Sequence, residues 1–161
     1  MEHSVLSWNV AGLRAILKKE DLYKIIYEND FIICLQETKA MENQVELSDE
    51  LKQTYPYRYW NSSDGTSQGK GLSGTTIWCK SPPIKHMDTP NFDVEGRIVA
   101  IELEKYILVN VYVPNSQKFD SIRFNFRREW NEKFLSYLIE LKAKKIKFRG
   151  SLILREKISV L

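Results

Sequence analysis

The stretch Phe31-Ile32-Ile33-Cys34-Leu35-Gln36-Glu37-Thr38-Lys39 decides the fold. An unbroken apolar run gives way abruptly to Gln-Glu-Thr-Lys. The run is too short for a packed helix and reads as a central strand buried on both faces, which needs cover on each side. Residues 4–10 read as another strand, ending in a loop at Asn9-Val10-Ala11-Gly12. Leu22, Ile25 and Ile26 have helical spacing after the acidic start Glu20-Asp21. Residues 47–51 predict a short helix capped near Glu46 or Ser48. Residues 57–61 and 73–79 predict strands on either side of a polar, Gly-rich loop. Residues 98–103 and 106–113 form a predicted hairpin turning at Glu104-Lys105, and Pro114 ends its second strand. Ile122, Phe126, Trp130, Phe134, Leu138 and Leu141 make one apolar stripe on a long helix, with Asp120 as its N-cap. This order predicts a mixed α/β fold, a mixed β-sheet covered by helices.

A chain of 161 residues suits one domain with a real core. No apolar run reaches the roughly 20 residues of a membrane helix, so no membrane partner is expected. The opening MEHSVLSWNVAG lacks the pattern of a secretory leader. Cys34 and Cys79 sit inside apolar runs and suit a reducing compartment. An intracellular location, cytoplasm or nucleoid or nucleus, is expected. The net charge of +3 is uneven: residues 142–161 carry +6 and the rest −3. Residues 142–161 are therefore read as a basic, divergent tail, with a strand that has no evident partner, and residues 1–141 as the main domain. Charge alone is weak support for a nucleic-acid partner.

Four short segments stand at predicted strand ends, where α/β sheets place their ligands. They are WNVAGLRA (8–15), LQETK (35–39), EGR (95–97) and VYVPN (111–115). Glu37 would sit at the lip of the sheet, paired, solvated or bound to a metal. With Asn9 beside it, its oxygens suit a hard cation such as Mg²⁺, which uses one or two protein carboxylates and keeps its waters. Taken singly, Glu37 reads equally as a strand-end carboxylate bonded to amides, and Tyr112 as a cross-strand packing residue.

Together the four segments, with KGLSG at 70–74 and the R-x-x-x-R-x-x-W pattern of Arg123, Arg127 and Trp130, resemble the exonuclease III type of apurinic/apyrimidinic endonuclease. These belong to the endonuclease/exonuclease/phosphatase superfamily. The resemblance implies half of a four-layer α/β sandwich, ending before the second sheet. It implies Mg²⁺- or Mn²⁺-dependent hydrolysis of double-stranded DNA, 5′ to abasic sites or at 3′ ends. By the same resemblance Glu37 holds the metal with Asn9 in its network, Tyr112 orients the scissile phosphate, and Asn115 donates to a phosphate oxygen. Arg14, Lys19, Gly71 and Arg97 match the DNA-facing edge, and Lys39 neutralises the phosphate side. Lys118 stands near a basic DNA-contact position with altered spacing.

The pattern also departs from the family. Ala11 and Leu72 replace a polar and an aromatic residue. Arg149-Gly150-Ser151-Leu152-Ile153 stands where the family has Gly-Asp-x-Asn, and no later Asp or Ser-Asp-His follows. His3 and His86 do not fit the catalytic base. A missing general base costs about 10²–10⁴-fold in rate and missing transition-state donors about 10²–10³-fold. The sequence is thus read as an N-terminal half, from a truncated gene or a half-length paralogue, inactive alone. An exposed sheet face is expected to drive self-association. Two other readings stay open: a non-catalytic DNA-binding or oligomerising remnant, and a phosphatase acting on a small phosphorylated substrate.

Overall fold

The structure is a computed structural model that describes residues 4–28, 31–63, 72–146 and 151–156. In chain order it contains β1 (Ser4–Asn9), α1 (Leu13–Ile16), α2 (Glu20–Glu28), β2 (Phe31–Gln36), α3 (Asp49–Thr54), β3 (Tyr57–Asn61), β4 (Thr75–Cys79), β5 (Lys85–His86), β6 (Ile98–Glu102), β7 (Tyr106–Val111), α4 (Ile122–Ile146) and β8 (Ser151–Glu156). The α/β class and the main elements match the pattern reading. The strands, however, divide into two four-stranded sheets, ordered β1-β2-β4-β3 and β5-β6-β7-β8. In the first, β2 pairs parallel with β1 and antiparallel with β4. In the second, β6 and β7 form the expected hairpin and β8 joins β7 in parallel.

The two-residue period of the strands explains the layering. Ile33 and Leu35 of β2 face outward and pack with Leu13, Leu22, Ile26 and Leu51 of the first three helices. Ile32 and Cys34, on the opposite face, pack with Ile77 and with Val99, Ile101 and Leu108 of the second sheet. The far face of that sheet sends Ile98, Ala100, Val109 and Val111 against Trp130, Phe134 and Leu141 of α4. The result is a helix–sheet–sheet–helix sandwich. Each fully buried aliphatic or aromatic side chain adds about 1.5–3 kcal/mol to such a core.

This corrects two expectations. The single sheet is two, and the face expected to be open is the inter-sheet core. The anticipated route to self-association is therefore closed among the described residues. The physical reason is that β4, β6 and β7 are apolar on both faces, so each sheet needs cover twice, and one sheet covers the other.

Local details also differ. Ser121, not Asp120, caps α4, its Oγ accepting from Phe124 N at 3.2 Å. Asp120 lies outside the helix at φ 60°. Ile122 is 82% exposed, so the buried stripe starts at Phe126. Ser48 caps α3 through Leu51 N at 3.2 Å. The expected boundary at residue 141 falls inside α4, and the strand expected to be unpaired, β8, runs beside β7 from Tyr106↔Ser151 to Val111↔Glu156. No helix among the described residues is long and apolar enough to cross a membrane.

A buried amide pair crosses the inter-sheet core, in addition to Asn61 Nδ2 of β3, which donates to Ile98 O of β6 at 2.8 Å. Gln36 Nε2 donates to Asn110 Oδ1 at 2.7 Å, and Asn110 Nδ2 donates to Leu35 O and Thr76 O, both at 2.9 Å. Both side chains are fully buried. Buried polar groups must be paired, so this amide pair selects one registration of two largely apolar faces.

Two predictions follow from this packing. Asn110→Ala removes three buried hydrogen bonds, to Leu35 O, to Thr76 O and from Gln36 Nε2, and should cost about 3 kcal/mol in urea unfolding. Cys34 and Cys79 are buried, and burial pushes the Cys79 thiol up to about 12. Neither thiol should react with a thiol reagent in the native chain, and both should react stoichiometrically once it is unfolded.

Candidate functional site

Because β1 and β2 run parallel and β4 runs against them, the ends of β1 and β2 meet the start of β4 along one edge. The loops there continue the sheet. Val10 N donates to Gln36 O, Gly12 N to Glu37 O and Leu13 N to Thr38 O, at 3.0, 2.8 and 3.0 Å. Thr38 N and Lys39 N donate to Gly74 O and Ser73 O at 3.1 and 2.9 Å. The path requires left-handed backbone at Ala11, Glu37, Lys39 and Ser73, with φ between 50° and 55°. Each such non-glycine residue costs about 1–2 kcal/mol, held in place by the surrounding ladder. At Gly74, φ is 87° and an added Cβ would overlap the Thr38 side chain.

Glu37 is the centre of the edge. Asn9 Nδ2 donates to its Oε1 at 2.6 Å, and Lys39 Nζ lies 3.5 Å from its Oε2. The Tyr112 phenol lies beside the same carboxylate, close enough for each to shift the other's pKa. Burial works to raise the Glu37 pKa, but the bonds from Asn9 and Tyr112 and the Lys39 charge hold it below the usual carboxylate range. Burial, then the bond to Glu37 and its charge, push Tyr112 up to about 12, against the pull of Arg97. Tyr112 is therefore a donor, and Glu37 an ionised acceptor, at neutral pH.

Tyr112 is fixed from behind. Its N donates to Arg97 O at 2.9 Å, and Arg97 Nη1 donates to Tyr112 O at 3.0 Å. The Arg97 guanidinium sits over the Tyr112 ring, 4.8 Å from the centroid. Arg97 Nε donates to Glu95 Oε2 at 2.7 Å, and Arg123 of α4 donates to both Glu95 oxygens, at 2.6 and 3.2 Å. Asp93 pins this loop by accepting from Arg97 N and Ile98 N, and ties it to β3 through Asn61 Nδ2 at 2.7 Å. Burial pushes the Asp93 carboxyl up to about 6 in spite of the amide donors. Downstream, Arg127 Nη1 holds Pro114 O at 2.5 Å, and Asn115 Oδ1 accepts from Gln117 N at 2.8 Å.

The structure thus brings Asn9, Glu37, Lys39, Tyr112 and Arg97 into one connected group. Asn115 follows three residues after Tyr112 and is exposed. Arg14 on α1, Lys19 before α2 and Lys118 before α4 are exposed and stand outside the connected group. Gly71 lies outside the described residues. Arg97 departs from the open, DNA-facing edge expected for it. Its side chain is 6% exposed and committed to Glu95 and Tyr112. The reason is pairing: Glu95 is buried on the same loop and requires a counter-charge.

Among the described residues no cluster of three or more His, Cys, Asp or Glu side chains is assembled. Glu37 supplies one ionised carboxylate, its side chain 18% exposed. Asn9 Oδ1 already accepts from Ala11 N at 3.1 Å, so Asn9 serves Glu37 chiefly as an orienting donor. That donor set fits a hard, largely hydrated cation better than a protein-caged one.

Pattern reading missed Asp93, the pairing of Glu95 with Arg97 and Arg123, and the Gln36–Asn110 pair. Asn110 carries a signal, a lone amide inside the apolar strand YILVNV. Asp93 carries none. A test follows from the Glu95 ion pairs. Burial acts to raise its pKa, but the bonds and charges of Arg123 and Arg97 hold it below its ordinary 4.5. The pairs therefore stabilise fully above pH 4.5 and lose effect as pH falls through the lower folded value. Glu95→Gln should cost about 3–5 kcal/mol at pH 7, and its stability should fall less than the parent's in unfolding titrations from pH 5 to 3.

A model of the Endonuclease/Exonuclease/phosphatase family matches residues 6–154. The chain is 39% identical over 145 residues to an exodeoxyribonuclease of Bacillus subtilis, covering 88% of this chain and 54% of that protein. It is 35% identical over 144 residues to the DNA repair nuclease APEX1 of Danio rerio, covering 88% of this chain and 45% of that protein. The chain thus spans about half the length of the curated relatives it matches. Two solved structures share the fold. An AP endonuclease from Archaeoglobus fulgidus superposes with TM-score 0.71 at 20% identity, over 96% of this chain and 56% of that one. The 3′ phosphatase NExo from Neisseria, bound to a product DNA hairpin, gives 0.72 at 22%, over 96% and 56%. With the family pattern spread over both sheets and the connecting loops, this chain belongs to the Endonuclease/Exonuclease/phosphatase family.

Proposed function

We propose that this chain carries the metal- and phosphate-binding part of a DNA-repair phosphodiesterase, acting on duplex DNA 5′ to abasic sites or at 3′ ends. The observation that carries the reading is the Asn9–Glu37–Tyr112 contact: an ionised carboxylate at the lip of the sheet, oriented by an amide and met by a phenol. Glu37 would hold a divalent cation, Mg²⁺ or Mn²⁺, with Asn9 fixing its carboxylate. When bound, such a cation would offset phosphate charge and lower the pKa of a bound water. Tyr112 and Asn115 would orient the phosphate as hydrogen-bond donors. Arg14, Lys19, Lys39 and Lys118 would give phosphate contacts, which supply affinity and register without reading sequence. The relatives named as exodeoxyribonuclease and DNA repair nuclease support the substrate class. Two buried free thiols fit an intracellular setting.

Among the described residues neither an imidazole nor a second carboxylate joins Glu37. Activation of the attacking water is therefore the weak step of this 161-residue chain on its own. A missing general base lowers rate by about 10²–10⁴-fold.

The test is binding and nicking of an abasic-site duplex by the pure chain, with Mg²⁺ and with chelator. Expected are salt-sensitive binding, tighter with Mg²⁺, and slow, strictly metal-dependent nicking at most. Glu37→Gln should abolish the Mg²⁺ effect on binding while leaving the salt slope in place. Equal nicking in chelator, or no salt-dependent binding of DNA, would overturn the reading.

A further inference from the structure

We infer that Arg97 is a positioning residue for Tyr112, held in that task by Glu95 and Arg123, and is not a phosphate contact. The inference rests on the proposed function for the role of Tyr112, and on geometry for everything else.

Arg97 has three hold points on one tyrosine. Its guanidinium lies over the ring at 4.8 Å, and its Nη1 donates to the tyrosine carbonyl at 3.0 Å. Backbone pairing of Tyr112 N with Arg97 O, at 2.9 Å, is the third hold point. A planar fork that stacks and donates at once is a property of arginine, and lysine cannot reproduce it. The remaining edge of the guanidinium is taken by Glu95 at 2.7 Å.

Glu95 is shared. Arg123 reaches both its oxygens from the first turn of α4, and Arg123 in turn lies over the Phe126 ring at 4.5 Å. With side chains 4%, 6% and 22% exposed for Glu95, Arg97 and Arg123, the chain of contacts runs inward from the helix to the tyrosine. For Arg97 to grip a phosphate it would have to give up its bond to a buried carboxylate, its bond to Tyr112 O and its stack on the Tyr112 ring, which is costly. Holding Tyr112 in place requires no such loss. An error of about 1 Å in a group that orients a phosphate can cost 10²-fold in rate, which is what a rigid clamp avoids.

The full chain, labelled with 3-fluorotyrosine, tests this by ¹⁹F NMR. Loss of one resonance in Tyr112→Phe assigns Tyr112 among the eight tyrosines. Arg97→Lys keeps the charge and removes the fork. It should shift and broaden the Tyr112 resonance and leave the other tyrosines in place. The slope of log affinity against log salt for duplex DNA should stay at the parent value. Lys118→Ala, at an exposed cation, should instead flatten that slope by about 0.9 and leave the Tyr112 signal untouched. If Arg97→Lys does not fold, Arg123→Lys, further out in the same chain of contacts, should move the same resonance by a smaller amount. An unmoved Tyr112 signal, or a salt slope flattened by about 0.9 in Arg97→Lys, overturns the inference. Failure of the parent chain to bind DNA would sink the nuclease reading instead, and the fluorine signal would still decide whether Arg97 holds Tyr112.

Discussion

Everything in the site depends on one buried hydrogen bond between two amides, Gln36 on β2 and Asn110 on β7. The faces they join are largely apolar, and apolar packing has no direction. Many small translations of one sheet over the other would bury similar area. Most of them would leave Leu35 O, Thr76 O or the two amides unpaired in a dry interior, at about 1–3 kcal/mol each. The observed registration bonds both carbonyls, both sides of the Asn110 amide and the Gln36 nitrogen, and leaves Gln36 Oε1 alone without a partner in this cluster. Gln36 immediately precedes Glu37, and Asn110 lies two residues before Tyr112. The registration that satisfies the amides therefore also sets the carboxylate against the phenol.

The loops beyond the strands carry the cost of that placement. Glu37 and Lys39 both adopt left-handed backbone, with Thr38 buried between them. A single such residue would relax if the chain were free to do so. Here the amides on either side are bonded to neighbouring loops, and Thr38 packs where only a glycine fits at 74. The strain is local, and the hydrogen bonds that maintain it are spread over three segments. This is how a charged side chain can sit at a sheet edge with a fixed direction.

Local pattern made much of this legible. The apolar run of β2, the β6–β7 hairpin and the stripe on α4 each follow from one periodicity and were readable as elements. So were Asn9, Glu37 and Tyr112 as candidates, because each stands at a strand end within a recognisable segment. What pattern could not supply was pairing across the chain. A strand apolar on both faces announces that it needs cover without saying that the cover is another sheet. Arg97, behind a glycine in a short loop, looks like a solvated cation until Glu95 is seen to pair with it and with Arg123, 26 residues further along. The Ser121 cap differs from Asp120 by one position, and both residue types cap equally well.

The carboxylates around Tyr112 differ in what neutralises them, and the proposed cation site at Glu37 rests on that difference. Asp93 is turned onto backbone amides and is 7% exposed as a residue. Glu95 is matched by two guanidiniums, its side chain 4% exposed. Glu37 has one partly exposed lysine at 3.5 Å and is itself the most open of the three, its side chain 18% exposed. A polyanion approaching this edge would meet no net repulsion from Asp93 or Glu95, whose fields are cancelled locally. It would meet repulsion from Glu37 unless a cation sat there. On the proposed reading, a divalent ion at Glu37 would reverse the sign of the local charge, and cation and phosphate would each favour the other's binding by the same factor. The buried arginines serve this arrangement by silencing their own carboxylates and leaving Glu37 as the place where added positive charge changes the field most.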